Sequence, residues 1–327
     1  MRGIKKVLAG LLVSSVALSG AVSAAESADE YPSRMVTIVA PYSPGGATDM
    51  FSRTLAQGLH ETLDQSVIVE NRAGASGIIG AEHVSRAKPD GYTLLVGAVS
   101  LHAILPSLLK KMEKAQENLT PVATLANSPS YVVVPASSSI QTIEELVATL
   151  KKEPGKFMYG SAGLGTSQHM LAELFKQQAG VDVMHVPYKS SGEMVLDLIA
   201  NRVNMAVEQG PAILSHVRNG SLRILATTVS ERTEEMPDVP TLAETVLPGF
   251  EGNTWFAVYA PKGTPEPIVE KLNHAISSVI AQSEVRRVLQ SQGVVPMQKS
   301  VAELAAMEQA DRAMWLDVIS AGQISIE

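Results

Sequence analysis

Apolar positions in this chain change period repeatedly, short strand-like runs alternating with stretches in which apolar residues return every three or four positions. Runs at 35–40, 67–70 and 92–97 predict strands. Between the first two, Phe51, Leu55, Leu59 and Leu63 fall four apart and predict a helix with one face on a sheet. A second series begins after a run at 131–135. There Thr142-Ile143-Glu144-Glu145 reads as a capping box opening a helix. A strand at 157–160, a helix carrying Met170, Leu171, Leu174 and Phe175, and strands at 183–186, 203–207 and 222–228 follow. Such alternation predicts parallel βαβ units gathered into two α/β lobes.

Residues 230–252, rich in Pro, Glu and Thr, read as an irregular connection leading to an apolar strand at 255–260 that has no sheet of its own. The tail is helical. Thr264 and Pro265 suggest an N-cap and first-turn proline, Ile268, Leu272, Ile276 and Val279 line one face, and Ser300 with Glu303 caps a final helix. These helices need a sheet to cover. The economical path leaves lobe 1 (30–127) near residue 128, builds lobe 2 (128–240), and returns to complete lobe 1 with 241–327. Two crossing strands then form a hinge beneath an inter-lobe cleft.

The N-terminus changes where this fold is expected to work. Arg2, Lys5 and Lys6 precede an uncharged apolar run at 7–18, followed by Val22-Ser23-Ala24, the layout of a secretory signal peptide (1–24) cleaved near Ala24. The alternative, a transmembrane anchor, needs about 20 apolar residues, and this run is shorter. With no cysteine in the chain there is no lipid anchor, disulfide or thiolate metal site. The mature chain must be held by apolar burial. Its 45% hydrophobic but only 4% aromatic composition suits Val-, Ile- and Leu-rich buried strands with helices packed on them. Cleavage removes three of the 26 basic residues and none of the 33 acidic ones, leaving a net charge of about −10. That balance argues against nucleic-acid binding. It also means that any anion site must rely on local dipoles and hydrogen bonds.

Two loops fit that requirement. Pro41-Tyr42-Ser43-Pro44-Gly45-Gly46-Ala47-Thr48-Asp49 lies between the first strand and its helix. Its glycines let backbone N–H groups turn toward a ligand, Thr48 or Asp49 can cap the helix, and the free N–H groups of the first turn add partial positive charge. The alternative is an ordinary Pro/Gly turn with Asp49 as a plain cap. In lobe 2, 160–169 repeats the arrangement: a strand end, Gly163 and Gly165, hydroxyls, and a helix starting near Thr166, with Ser167 and His169 in its first turn. His169 could serve a ligand or hold a structural place equally well. Both loops lie at carboxyl ends of strands, where open α/β sheets bind ligands. The order G-x-x-G-x-G does not match a dinucleotide fingerprint.

Nothing nominates a catalytic group, a metal or a cofactor. Two S-x-x-K matches, at Ser85 and Ser107, lack their partner motifs, and there is no G-x-S-x-G, H-E-x-x-H or P-loop. The seven histidines are scattered.

Several long segments, in order, carry a likeness: PYSPGGATD from Pro41, ENRAGASGIIG from Glu70, PDGYTLL from Pro89, GSAGLGTSQHMLAELF from Gly160, HVPYKSSGE from His185 and DVPTLAE from Asp238. The chain resembles the Bug receptors, substrate-binding proteins of tripartite tricarboxylate transporters. The resemblance implies a type II periplasmic-binding-protein (Venus flytrap) fold, two doubly wound lobes joined by hinge strands. It implies that the loops holding Tyr42, Ser43, Gly45, Gly46, Thr48 and Asp49, and Gly165, Thr166, Ser167 and His169, bind a ligand carboxylate, partly through water. The ligand would be a small organic acid. Ala98 and Ser100 fall where the family lines its cleft. Where the family carries a pair resembling Asp-Asn, this chain has Glu208-Gln209. Each is a methylene longer, so the distal pocket should be smaller or displaced, and Glu208 near the ligand would disfavour a second carboxylate.

The expected protein is thus a periplasmic, monomeric solute-binding receptor, not an enzyme, that presents a carboxylate to membrane transporter subunits or a sensor. One alternative is an exported α/β hydrolase acting on a small carboxylate ester or amide. Another is a LysR-type effector domain, opposed by the signal pattern and by the lack of a helix-turn-helix ahead of Met35.

Overall fold

The computed structural model describes residues 27–322, 324 and 325, so the signal sequence and the cleavage site at Ala24 lie outside the described residues. The chain runs through β1 (Val36–Ala40), α1 (Ala47–Leu63), β2 (Val67–Asn71), a 3-10 turn (Ala75–Gly77), α2 (Ile78–Ser85), β3 (Thr93–Ala98) and a π-helical turn (Ser100–Ile104). It continues with α3 (Leu105–Leu108), α4 (Lys110–Glu117), β4 (Leu119–Pro135), α5 (Ile143–Lys152), β5 (Met158–Ser161), α6 (Ser167–Ala179), β6 (Met184–Pro187), α7 (Ser191–Ile199), β7 (Met205–Gln209), α8 (Gly210–Arg218) and β8 (Leu222–Thr227). After an irregular segment come β9 (Asn253–Pro261), α9 (Glu266–Ala281), α10 (Ser283–Ser291), β10 (Val295–Pro296) and α11 (Val301–Gly322).

The strands pair in the order β2-β1-β3-β9-β4-β7-β5-β6, with β8 and β10 also on β4. β1 is parallel to β2 and β3, and β5 to β6 and β7. β9 and β4 run antiparallel to their neighbours. β2-β1-β3-β9-β4 and β6-β5-β7-β4-β8 therefore have the same order, built twice around β4. This 17-residue strand pairs with β9 as far as Ser128↔Thr254 and Pro129↔Asn253, then with β7 from Ser130↔Gln209. The strand at 255–260 that lacked a sheet is inserted between β3 and β4.

Side chains alternate across the strands, as a sheet covered on both faces requires. Val36, Ile38, Leu94 and Val96 pack with Phe51, Leu55 and Leu59 of α1 and Ile268, Leu272, Ile276 and Val279 of α9. Val39 and Leu95 face the other way, into a cluster that runs on through Val132, Tyr159, Leu171 and Phe175 to Trp315 of α11. Tyr131 and Val133 meet α7 and α8 through Met194, Leu198 and Ile213.

Local signals held with two shifts. Ser300 and Glu303 cap α11 reciprocally, Glu303 N donating to Ser300 Oγ (3.2 Å) and Ser300 N to Glu303 Oε2 (2.8 Å). Thr142 accepts from Glu145 N at 3.2 Å, but the Glu145 carboxylate takes the N–H of Gln141, one residue before the cap. Thr264 does not cap α9. Its hydroxyl donates to Pro261 O at 2.7 Å to close the turn, Pro265 holds the cap position, and the first-turn proline is Pro267.

Candidate functional site

The two glycine loops follow corresponding strands of the two halves, β1 and β5. Gly45 (φ 98°) and Gly165 (φ 72°) adopt left-handed backbone that glycine tolerates, which turns each loop into its helix. Neither Thr48 nor Asp49 caps α1. Gly46 holds the cap position and no side chain caps it, so the expected side-chain cap is corrected. Asp49, in the first turn, accepts from Gly45 N (3.3 Å), Arg53 Nε (3.1 Å) and Asn71 Nδ2 (2.9 Å). Burial alone would raise its carboxyl, but these partners more than offset it and hold the group below the usual carboxylate range. Asp49 thus braces the loop. In the second half, Thr166 caps α6, accepting from His169 N at 3.4 Å, and Ser190 caps α7, accepting from Glu193 N at 3.3 Å. Gln209 holds the cap position of α8 without a side-chain cap bond.

A small cavity lies between the halves. Tyr42, Ser43, Gly46, Ala47 and Thr48 line it from the first loop and α1, Ala98 and Ser100 from the end of β3, and Phe256 from β9. Ala162, Ser167, Gln168, Ser191 and Gln209 line it from the second half. Tyr42 Oη donates to Ser76 O (3.0 Å) and lies 3.3 Å from Ser100 Oγ. Burial pushes the phenol up to about 12, so it stays neutral. The N-terminal ends of α1, α6, α7 and α8 converge here, and among the described residues no Lys or Arg lines the space. Each helix end carries roughly half a positive charge, with the acidic Asp49 and Glu193 also in the first turns of α1 and α7.

Of the residues proposed from sequence, the cavity brings together Tyr42, Ser43, Gly46, Thr48, Ala98, Ser100, Ser167 and Gln209, whereas Gly45, Asp49, Gly165, Thr166, His169 and Glu208 lie outside its lining. His169 turns inward. Its Nδ1 accepts from Gly165 N at 3.1 Å and its ring stacks on His185, centroids 4.2 Å apart. Burial, with Lys176 adding to it, lowers His169 to about 4, and burial with His169 lowers His185 to about 3. Glu208 is fully buried: its Oε1 accepts from Gln168 Nε2 (3.0 Å) and Gln209 N (2.9 Å).

Ala47, Ala162, Gln168, Ser191 and Phe256 were not anticipated. Gln168 stood inside a loop already singled out. Ser191 follows the β6 strand in Ser190-Ser191-Gly192-Glu193, whose Ser-x-x-Glu spacing is a capping box that opens a helix at a strand's carboxyl end, as helices open after the other two loops. Phe256 carries no local signal, because only the placement of β9 beside β3 brings it here.

Comparison with known proteins agrees with this architecture. A family model described as tripartite tricarboxylate transporter family receptor matches residues 51–324. Protein BugT of Bordetella pertussis is 38% identical over 278 residues, 84% of this chain and 85% of BugT. The solved structure of Rpa4515 from R. palustris with adipate is 33% identical, with a TM-score of 0.87 over 90% of this chain and 99% of that one. The periplasmic binding protein BugD is 28% identical, with a TM-score of 0.86 over 90% and 99%. These are binding proteins, which overturns the hydrolase alternative. Among the described residues no helix is long and apolar enough to cross a membrane. The chain belongs to the receptor family of tripartite tricarboxylate transporters, the Bug-type periplasmic solute-binding proteins, which capture small carboxylates and are not enzymes.

Proposed function

We propose that the cavity holds a carboxylate of a small organic acid against the N-terminal end of α1, with Ser43, Gly46, Thr48 and Ser167 as its nearest partners, and that the ligand joins the two halves by touching both. The observation that carries this reading is the convergence of four helix N-termini on one space between the halves. Helix ends of this kind favour an anion in a chain whose overall charge would repel one at long range. The lobes meet at two crossings. We set the first between Pro129 and Ser130, where β4 changes partners, and the second near residue 252 rather than 240, because Leu242 N and Gly252 N still donate to Thr227 O and Thr228 O beside β8. Lobe 1 is then 30–129 with 253–325, and lobe 2 is 130–252.

The mature protein, cleaved near Ala24, works in the periplasm as a monomer and offers its closed form to membrane transporter subunits. Ligand contact with both lobes shifts the open–closed equilibrium toward that form. A thermal-shift screen of the mature protein against mono-, di- and tricarboxylates tests the reading. A true ligand at a hundredfold excess over its dissociation constant stabilises by about 2.7 kcal/mol, or roughly 5 °C. If ligand-free folded protein responds to no carboxylate, the substrate class is wrong.

A further inference from the structure

Glu208 ends the apolar part of β7, fully buried and outside the cavity lining. Its Oε1 accepts from Gln209 N and Gln168 Nε2, and the Ser191 hydroxyl is drawn to the carboxyl, while among the described residues Oε2 makes no geometrically ideal hydrogen bond. The ionisable residues on the elements around it are Tyr131 (β4, its register partner), Tyr159 (β5), His169, Glu173 and Lys176 (α6), Glu193 and Asp197 (α7), and His216 and Arg218 (α8). None bonds its carboxyl. Burial without a counterion favours the neutral acid. Burial raises its proton affinity, and its bonds from Gln209, Gln168 and Ser191 offset only part of that.

This acid decides which way an amide above it points. Gln168 Nε2 has two hydrogens and three acceptors within reach: Glu208 Oε1 (3.0 Å), Gln209 Oε1 (3.0 Å) and Ser191 Oγ (3.2 Å). Gln209 Nε2 is committed to Ser167 Oγ (3.1 Å) and Thr254 Oγ1 (3.4 Å). Both amide nitrogens are therefore used internally. What remains for a ligand on this side is the second lone pair of each amide oxygen, since Gln168 Oε1 accepts from Ser167 Oγ (3.3 Å), Gln209 Oε1 accepts from Gln168 Nε2, and the Ser191 hydroxyl is drawn to Glu208. The helix ends attract one anionic group, but the side-chain donors that a second would need are turned away.

We propose that Glu208 is a positioning residue for ligand specificity: as a neutral acid it fixes the Gln168 amide nitrogen inward, so the far end of the ligand must bring hydrogen-bond donors, as an amide, hydroxyl or ammonium does, and not a second ionised carboxylate. The proposal rests on the reading that the α1 side of the cavity takes a carboxylate. It also corrects the expectation that Glu208 itself meets the ligand.

Calorimetric titrations at pH 8 with three matched pairs, succinate and succinamate, glutarate and glutaramate, adipate and adipamate, test it. The half-amide of the best-fitting length binds at least tenfold more tightly than its dicarboxylate. Glu208→Gln replaces a neutral acid by a neutral amide and keeps both the affinity and the ratio within threefold. Glu208→Met removes one of the three acceptors that hold the Gln168 nitrogen inward and lowers the ratio at least threefold, whereas a purely structural role would weaken both ligands alike and leave the ratio intact. A dicarboxylate that binds the parent as tightly as its half-amide overturns the proposal. So does a Glu208→Gln variant that binds both ligands more than tenfold more tightly, the sign of an ionised Glu208. If the Met variant does not fold, the parent ratio and the Gln variant still decide. If no member of any pair binds, the carboxylate reading itself falls and this inference with it.

Discussion

Gly46 is where the account of closure meets its sharpest steric test. A Cβ placed on it would lie 3.8 Å from Ser191 Oγ and 3.9 Å from Ser191 Cβ, on α7 across the cavity. Its φ of −106° is ordinary for any residue. Gly46→Ala therefore fits, and costs only the difference between a glycine and an alanine cap, about 0.5–1 kcal/mol, read as a fall of roughly 1–2 °C in Tm. Gly46→Val adds γ carbons about 1.5 Å beyond the Cβ. A methyl directed at Ser191 is left with roughly 2.3 Å, well inside contact, and one turned away fills the ligand's space. Overpacking of this kind costs about 1–3 kcal/mol. Because the strain falls on the form in which the halves meet, it appears in binding: Kd for the best carboxylate rises by about 5- to 150-fold relative to the alanine variant. Titration calorimetry gives the Kd, and thermal unfolding without ligand gives the control. Equal affinities for the Ala and Val variants would show that Gly46 and Ser191 do not face each other when ligand is bound.

Other outcomes follow from the same geometry. Thr48→Val keeps the shape of a cavity-lining side chain but removes its hydroxyl, and should weaken carboxylate binding by about 2- to 10-fold with little change in Tm, as calorimetry and thermal melts would report. Gly97→Ala would bring a methyl within 2.3 Å of His102 Nε2 and 2.9 Å of the Tyr259 ring, so chemical denaturation should show a loss of at least about 1–3 kcal/mol. His102 is fully buried, stacked on Tyr259 at 3.6 Å, with both ring nitrogens unpartnered, and burial, helped by Arg312, lowers it to about 3. Its unfolded form titrates near 6.5, so below that pH the unfolded state gains the proton and the folded state loses stability, until the folded pKa is reached. Relative to the parent, His102→Phe should become more stable as pH falls from 6.5, by roughly 2 kcal/mol at pH 5, measured by denaturant titration at each pH. A difference that does not change with pH would contradict the burial of a neutral imidazole.

Where residues repeated regularly, the fold was legible. Phe51, Leu55 and Leu59 had to share a helix face, and each proved to be fully buried against β1 and β3. β4 was half legible. Its Tyr131–Pro135 end reads as a strand, but Pro121, Asn127, Ser128 and Pro129 interrupt the apolar pattern upstream, and only pairing with β9 carries the strand through them. Glycines and hydroxyls at strand ends pointed to both loops. Which atoms of those loops face the cavity depended on tertiary partners: Arg53 and Asn71 draw Asp49 away, the His185 ring holds His169 inward, and Gln168 sits between Glu208 and the open space. None of those distances is encoded in local spacing.

The most direct test of the central claim is a crystal structure of the mature protein with the carboxylate that stabilises it most. The carboxylate group should lie within hydrogen-bond distance of the α1 N-terminal backbone at Gly46 to Thr48, with Ser167 opposite and the lobes closed around the ligand. A ligand whose carboxylate lies away from the helix ends, or which binds outside the space between Thr48, Ser167 and Ser191, would contradict it.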